Sequence, residues 1–558
     1  MTNKQIATIF DELAVLMELH EENIFKIKSY QNAYLTLRKL ATPIQEIPPE
    51  ELTALKGVGK AISEKITEYI NTGDLAILKK YQDITPLGVQ EMLKIDGFGA
   101  KKIRTIWKEL EIESIGELTY ACHENRLMEL KGFGLKTQND LLAKLEFFKK
   151  NKSQFHFSEL ESIGVQIVES LKHWFPDVSI DFCGDFRRKC NTLDKIEILV
   201  AVPIEVTPLF IPDFEIKSRH KNQIDAIFSK KYPVTIYSCN EQEFGSKLFL
   251  YTGSKAFVEA FSERASEGVD FKNLADEKEV FLKSGLSFIR PEQREIEYNF
   301  TKNSVSKNSE IIDIQDIKGI LHAHSTYSDG IHSLREMALF VKEKGYEYLG
   351  ITDHSKAAFY ANGLQPERVL AQFLEIDVLN QELAPFKIFK GIESDILSDG
   401  SLDYPSEILQ QFDFIIASVH SNLKMDEARA THRLLRAIEN PFTTILGHPT
   451  GRLLLSREGY SIDYQLIIDA CAANGVVIEI NAHPYRLDLD WRWIGYAQDK
   501  NVLLSVNPDA HSKEGISLLK YGIYSAQKGG LRAQNCLVSK NVIELDLFFK
   551  NKKNAVVG

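Results

Sequence analysis

The strongest constraint on the fold of this chain is a set of short histidine and acid blocks in its C-terminal part. They are His322-Ala-His324, Ser328-Asp329-Gly330, Thr352-Asp353-His354, Gly391-Ile-Glu393, Ser418-Val-His420, Gly447-His448-Pro449 and Asp509-Ala-His511. Most of them close a short apolar run, as in Tyr348-Leu-Gly-Ile-Thr-Asp-His354 or Phe414-Ile-Ile-Ala-Ser-Val-His420. A run of that kind is a strand buried on both faces, and a polar block at its end lies at the strand's C-terminal mouth, where α/β barrels keep their chemistry. Imidazoles and carboxylates together are ligands for hard and borderline divalent metals. One such histidine is ordinary packing, but seven blocks predict a multinuclear metal site.

A chain of 558 residues is too long for one core and predicts several domains. Its hydrophobic content of 44% and charged content of 26% are those of an ordinary globular protein. No apolar run is long enough to cross a bilayer, and the first residues lack the blocks of a signal peptide. The six cysteines stand singly, without a CxxC pair, which points to a reducing cytoplasm. A net charge of -11 argues against a broad basic surface, so any nucleic acid must be held by local devices.

One such device recurs in the first 150 residues, which read as helices joined by tight turns. Leu55-Lys-Gly57-Val-Gly59-Lys60, Ile95-Asp-Gly97-Phe-Gly99-Ala-Lys101 and Leu130-Lys-Gly132-Phe-Gly134-Leu-Lys136 share one pattern: an apolar residue, a G-x-G turn, then the start of a helix. The glycines leave backbone N–H groups bare at a helix N-terminus, which can hold a phosphate without side-chain charge. The three turns resemble the helix-hairpin-helix motif for the DNA backbone. Beyond them, Val178–Cys183, Ile196–Val202 and Tyr232–Tyr237 read as strands of a small α+β sheet. Residues 245–302 read as mostly helical. The polar stretch Thr301–Ser309 reads as part of a linker, and the tail Lys550–Gly558 as frayed.

Hairpin repeats, then a sheet domain, then Tyr251-Thr-Gly253-Ser254-Lys resemble the bacterial family X DNA polymerases, which end in a PHP domain. The resemblance covers the whole chain. It implies an 8-kDa-like helical domain over 1–85 and a fingers-like helical domain over 86–152. After these come a nucleotidyltransferase-like palm over 153–245, a thumb-like domain over 246–302 and a linker over 303–316. Residues 317–558 would form a distorted (β/α)₇ PHP barrel.

In that family the palm has a Gly-Ser and Arg-Arg block, and three aspartates that hold two Mg²⁺ ions. Here the block is Cys183-Gly184-Asp185-Phe-Arg187-Arg188, followed by Asp194-Lys195-Ile-Glu197-Ile-Leu-Val. The family's aspartates fall on Lys195, Glu197 and Thr235. Strand alternation points Asp194 away from Glu197. Two clustered cations need several negative charges, so the resemblance implies a degenerate palm without its Mg²⁺ pair. Gly184, Arg187, Arg188, Gly253 and Ser254 would be the remnant of its nucleotide site.

The PHP part departs in no ligand: His322, His324, Asp329, His354, Glu393, His420, His448, Asp509 and His511 all match. The resemblance implies three divalent ions, Mn²⁺ first, with Zn²⁺ or Fe²⁺ as alternatives. It groups His322 and His324 with Glu393 and Asp509, Asp329 and His354 with His448, and Glu393 with His420 and His511. Arg452 and Arg486 are candidate contacts to substrate phosphate. Asp353 is a candidate to orient a ligand. His332, His432, His483 and the Trp491-Arg-Trp493 patch read as packing or surface groups.

The expected activity is a metal-dependent 3′–5′ DNA exonuclease in base-excision repair, working as a monomer on gapped, nicked or 3′ DNA ends. Three alternatives stand beside it: a gap-filling polymerase, a phosphomonoesterase of the histidinol-phosphatase type, and a DNA-binding scaffold with structural metals.

Overall fold

The computed structural model describes residues 2–40, 42–95, 97–128, 130–148, 154–202, 213–265, 271–295 and 310–557. It separates into two compact units, residues 1–149 and 150–558. None of its described helices is long and apolar enough to cross a membrane.

The first unit is helical among the described residues. Its opening helix, Asn3–Leu19, starts at Thr2, whose side chain accepts from the Gln5 amide while the Gln5 side chain accepts from the Thr2 amide. This reciprocal cap satisfies two end groups of the helix. The helix buries Ile6, Phe10, Leu13 and Met17, spaced for one face, against the helix Ile24–Lys39. Helices Lys60–Thr72, Ala100–Leu110 and Leu135–Phe148 each follow one of the three G-x-G turns.

The second unit opens with a small sheet domain. Strand β1 (Phe155–His156) pairs with β3 (Thr192–Leu193). A five-stranded sheet runs in the order β2 (Ile180–Phe182), β4 (Ile196–Val200), β7 (Tyr232–Ser238), β6 (Gln223–Phe228), β5 (Phe214–His220). Only β4 and β7 pair in parallel. Helix Phe157–Trp174 covers one face with Leu160, Ile167 and Leu171. Helices Phe244–Thr252, Lys255–Arg264 and Glu277–Ser284 follow, around a core that includes Phe249, Phe257, Phe261 and Phe281.

The rest is a barrel of seven strands: β8 (Gly319–Ile320), β9 (Tyr348–Ile351), β10 (Lys387–Asp395), β11 (Phe414–Ser418), β12 (Ile445–Leu446), β13 (Val477–Asn481) and β14 (Leu504–Asn507). Neighbours in sequence are neighbours in the sheet, and every pair is parallel. The ring closes just past the two end strands, where Ala323 bridges Ala510 and the His324 amide donates to the Ala510 carbonyl at 2.9 Å. Strands β9, β11, β13 and β14 are buried at every position, as expected for a sheet with both faces covered. Inside, Phe414 lies over Gly350 and Gly391, where a Cβ would come within 2.6 and 2.5 Å of its ring.

The barrel's mouth packs on the sheet domain. His156 contacts the Leu454 carbonyl at 3.0 Å, and its ring lies 4.2 Å from that of Tyr485. Glu161 accepts from Lys520 at 2.6 Å, Tyr521 at 2.9 Å and Tyr524 at 3.2 Å.

Two expectations need correction. The linker expected over 303–316 lies outside the described residues as far as 309, and its remainder already belongs to the barrel. Ile311 bridges Arg532, and the Ile312 amide donates to the Leu531 carbonyl. Nor is the tail frayed: helix Val542–Val557 runs through it, tied down by Lys552 to the Asn474 and Gly475 carbonyls. A polar composition could not reveal those tertiary partners.

Candidate metal centre

All nine matched barrel residues reach one place. His322, His324 and Asp329 follow β8, His354 follows β9 and Glu393 lies on β10. His420 follows β11, His448 follows β12, and Asp509 and His511 follow β14. All are nearly fully buried. Three groups offer ligand atoms within 4.8 Å of one another: His322, His324, Glu393 and Asp509; His324, Asp329, His354 and His511; and His354, Glu393 and His420.

The spacings suit ions. His322 Nε2 and His324 Nε2 lie 3.2 and 3.1 Å from Asp509 Oδ1. His354 Nε2 and His511 Nε2 each lie 3.4 Å from Asp329 Oδ2. His420 Nε2 and His448 Nε2 lie 3.2 and 3.0 Å from Glu393 Oε1. Ligands about 2.0–2.2 Å from a shared tetrahedral ion stand roughly 3.3 Å apart. Five of the buried atoms, His322 Nε2, His324 Nδ1, His354 Nδ1, His448 Nδ1 and Glu393 Oε2, have no hydrogen-bond partner. Buried polar groups are rarely left so, and each one costs about 1–3 kcal/mol unless something binds it. The residues fit divalent metals.

Crowding sets the charges. Burial, with His511 and His354 beside it, pushes the His324 imidazole down to about 3. Its ring stacks 4.2 Å from that of His511, so two imidazoliums there would repel. Burial opposes a charge on His420, yet Glu393 and Asp395 outweigh it and raise it to about 10. Burial likewise opposes ionisation of Glu393, Asp509 and Asp329, and neighbouring imidazoles hold all three well below the carboxylate range.

The grouping taken from the resemblance needs one exchange. His448 does not join Asp329 and His354; it lies against Glu393, with its ring 5.3 Å from that of His420. His511 takes its place beside Asp329. Barrel order is the cause. Strand β12 adjoins β11, which places His448 next to His420, whereas the Ala323–Ala510 closure brings His511 to the β8 side.

Other groups sort by their contacts. Asp353 accepts from the amides and hydroxyls of Ser325 and Ser328, and so braces the turn that carries His324 and Asp329. Arg452 is committed to the fold, donating to the Arg486 and Leu487 carbonyls and to Asp490. Arg486 is buried, and its charge adds to the burial that lowers His448. His332 and His483 accept from the Lys513 and Tyr485 amides, and Trp493 stacks on Tyr464 at 4.7 Å. Asp395, bonded to His420 Nδ1, and Glu479, bonded to His322 Nδ1 at 2.7 Å, escaped the sequence reading. Their signal was present: a lone charge inside an apolar run, as in Val476-Val-Ile-Glu-Ile480.

The sheet domain differs. The Glu197 carboxylate fills the turn at Gly184, lying 1.7 Å from where a Cβ would stand, and accepts from the Asp185 amide at 3.2 Å. Lys195 Nζ lies 3.4 Å from it and Tyr237 donates to it at 3.2 Å. Thr235 is buried and donates to Asp225 at 2.9 Å, an acid on the neighbouring strand that the sequence reading missed. Arg187 forms a bidentate pair with Glu277 at 2.7 and 2.8 Å. Arg188 donates to Glu295 at 2.9 Å and to the Thr252 carbonyl at 2.7 Å. Ser254 caps helix Lys255–Arg264, and Gly253 packs on Val258.

In the first unit, Gly57, Gly97 and Gly132 all adopt positive φ, at 81°, 78° and 89°. Each of the second glycines, Gly59, Gly99 and Gly134, has no atom within 4 Å of where a Cβ would stand. Lys60, Lys101 and Lys136 are exposed beside them. Helices Lys60–Thr72 and Ala100–Leu110 start without a side-chain cap. Phe98 and Phe133, from the second and third turns, lie 6.4 Å apart with Lys102 over both rings.

Comparison with known proteins agrees with these parts. A helix-hairpin-helix domain profile matches residues 1–75 and a PHP domain profile residues 321–483. A Bacillus subtilis (strain 168) protein named DNA polymerase/3′-5′ exonuclease PolX is 34% identical over 99% of this chain and its own entire length. A probable phosphatase of Thermoanaerobacter sp. (strain X514) is 25% identical over 42% of this chain and 96% of its own. Another, from Caldanaerobacter subterraneus subsp. tengcongensis, is 29% identical over 34% of this chain and 74% of its own. With the hairpin turns, the palm-like sheet and the PHP barrel joined in one chain, and a relative aligned from end to end, this protein belongs to the bacterial PolX family of family X polymerase-like chains with a C-terminal PHP domain.

Proposed function

We propose that this chain is a metal-dependent DNA phosphodiesterase acting as a 3′–5′ exonuclease in DNA repair, with hydrolysis in the PHP barrel and a palm that no longer polymerises. The observation that carries this reading is the set of five buried atoms without a hydrogen-bond partner at the barrel mouth. Among the described residues of the sheet domain, no buried side-chain atom is left in that state.

His322, His324, Asp329, His354, Glu393, His420, His448, Asp509 and His511 would hold the ions, three in number and Mn²⁺ by preference. Such ions supply an activated water and neutralise charge on the phosphoryl oxygens. The chain's own part is positioning. Glu393 lies within reach of His322, His324, His354, His420 and His448, so it ties the three groups together. Asp395 and Glu479 orient two imidazoles from behind. Arg486 adds a fixed positive charge near His448, suited to a phosphate. Burial of the cluster excludes bulk water and strengthens each of these interactions.

The three G-x-G turns would hold the DNA backbone through open amides at the second glycines, with Lys60, Lys101 and Lys136 alongside. In the palm, Lys195 and Thr235 stand where carboxylates are needed. Glu197, Glu277 and Glu295 occupy the turn and the two arginines that would meet a triphosphate. Cytoplasmic residence and a monomeric state complete the reading. The likeness of the barrel to proteins named probable phosphatases favours a second reading, phosphomonoester hydrolysis.

One assay separates these. Purified protein is incubated with Mn²⁺ and 5′-labelled gapped DNA, with and without dNTPs. The proposal expects laddered shortening that His420→Ala abolishes. Extension with dNTPs would overturn the palm reading, and turnover of a phosphomonoester with intact DNA would favour the phosphatase.

A further inference from the structure

Of the seven barrel strands, β13 alone supplies none of the nine matched residues. It supplies Glu479 instead, which is wholly buried one layer below the cluster. Four donors converge on this carboxylate. His322 Nδ1 at 2.7 Å and Asn507 Nδ2 at 2.9 Å meet Oε1. The His448 backbone amide at 2.9 Å and Asn481 Nδ2 at 3.4 Å meet Oε2. Asn481 Nδ2 also donates to Asp509 Oδ2 at 2.9 Å. Three of the nine residues, arriving after β8, β12 and β14, are thus tied to a single side chain.

The chemistry of the four donors selects the residue type. A glutamine offers one acceptor atom and one donor group, so it would set its NH₂ against either His322 and Asn507 or the His448 amide and Asn481. Only an acceptor on both oxygens serves all four. With Nδ1–H turned to Glu479, the lone pair of His322 Nε2 faces Glu393 Oε1 at 3.5 Å and Asp509 Oδ1 at 3.2 Å. The bond to the His448 amide holds a backbone that sits at φ 21°, in a region few side-chain-bearing residues adopt.

We propose that Glu479 is the positioning residue of the metal centre, which selects the Nε2-facing tautomer of His322 and sets the His448 backbone. The proposal rests on the reading of the barrel mouth as a metal site, and its test reads ion binding rather than DNA cleavage. Mn²⁺ affinity and the visible spectrum of the Co²⁺-loaded protein are measured on the full chain for wild type, Glu479→Gln and Asn507→Ala. Removing a partner of this kind lowers metal affinity about 10- to 100-fold. Glu479→Gln is expected to show that loss and a shifted Co²⁺ spectrum. Asn507→Ala, which keeps the bond between Glu479 and His322, is expected to keep the wild-type spectrum at a lower melting temperature.

If Glu479 only fills space, both variants melt lower and both keep the wild-type spectrum and affinity, and the proposal is wrong. Should Glu479→Gln fail to fold, Glu479→Asp keeps the charge but withdraws the oxygens. It must then show the same loss and shift, and wild-type values in it overturn the proposal. Wild-type protein that takes up no Mn²⁺ overturns the metal reading itself, whereas uptake with an unchanged Glu479→Gln overturns only the role of Glu479.

Discussion

The palm and the barrel both gather acids around a buried point, and they finish the arrangement in opposite ways. Around the palm turn the acids have partners within the chain: Glu197 has Lys195, Tyr237 and the Asp185 amide, Asp225 has Thr235, and Glu277, from the helices that follow the palm, has Arg187 and Arg294. In the barrel, imidazoles and carboxylates face one another at ion-ligand spacing, and five buried atoms lack a hydrogen-bond partner. Buried polar groups left without a hydrogen-bond partner suit a bound ion, whereas acids already paired within the chain do not need one. Sequence similarity to a relative named both polymerase and exonuclease does not draw this distinction. Local geometry does.

The largest expected effect lies in the barrel. Asp509→Asn removes a carboxylate within 3.2 Å of both His322 Nε2 and His324 Nε2. Several kcal/mol of transition-state stabilisation should go with it, a fall of about 10³-fold or more in the shortening of 5′-labelled DNA. A variant still within tenfold of wild type would break the barrel's half of the comparison.

Next is the ion cluster that joins the palm to the helices that follow it. Glu277→Gln leaves the half-buried Arg187 and the buried Arg294 without their shared carboxylate, at a cost of about 3 kcal/mol read in denaturant unfolding. The pH dependence has a definite sign. Burial opposes ionisation of Glu277, but the two guanidiniums outweigh it and bring it from 4.5 down to about 2. A lowered carboxyl stabilises the fold fully above its unfolded value, and this contribution fades as pH falls from about 4.5 toward about 2. Wild type should therefore lose stability over that window and Glu277→Gln should lose less.

What the sequence made legible follows from the range of each interaction. The nine barrel residues could be read because each closes an apolar strand run, a purely local signal. Their pairing could not, since His448 and His511 are assigned by the order of strands around a ring that closes through Ala323 and Ala510. Asp225 was hidden for a related reason. It sits in the alternating run Gln223-Ile-Asp-Ala-Ile-Phe228, and only the β6–β7 register sets it opposite Thr235. Lys195 and Thr235 could be set against the family's aspartates from the sequence alone. The way Glu197 fills the Gly184 turn could not be read there, because that turn needs tertiary packing to meet β4.

Smaller effects sharpen the account of the hairpin turns. Gly99→Ala places a methyl where nothing lies within 4 Å and where φ is -72°, so folding should be untouched. A phosphate that approaches the bare amides would meet that methyl, and DNA affinity should fall roughly tenfold or less, with an unchanged melting temperature. An unaltered affinity would remove the second turn from the DNA contact. Smallest of all, Lys195→Ala should leave exonuclease rate within about twofold and produce no dNTP incorporation, because Glu277 and Glu295 still hold the arginines.

The most direct test counts ions. Metal analysis after equilibration with Mn²⁺ should give about three ions per chain, the number proposed for the barrel. Replacing the palm's acids together, Glu197→Gln with Asp225→Asn, should leave that count unchanged, while His420→Ala lowers it. A count that falls with the palm variant and holds in His420→Ala would contradict the assignment of the ions, and of the chemistry, to the barrel.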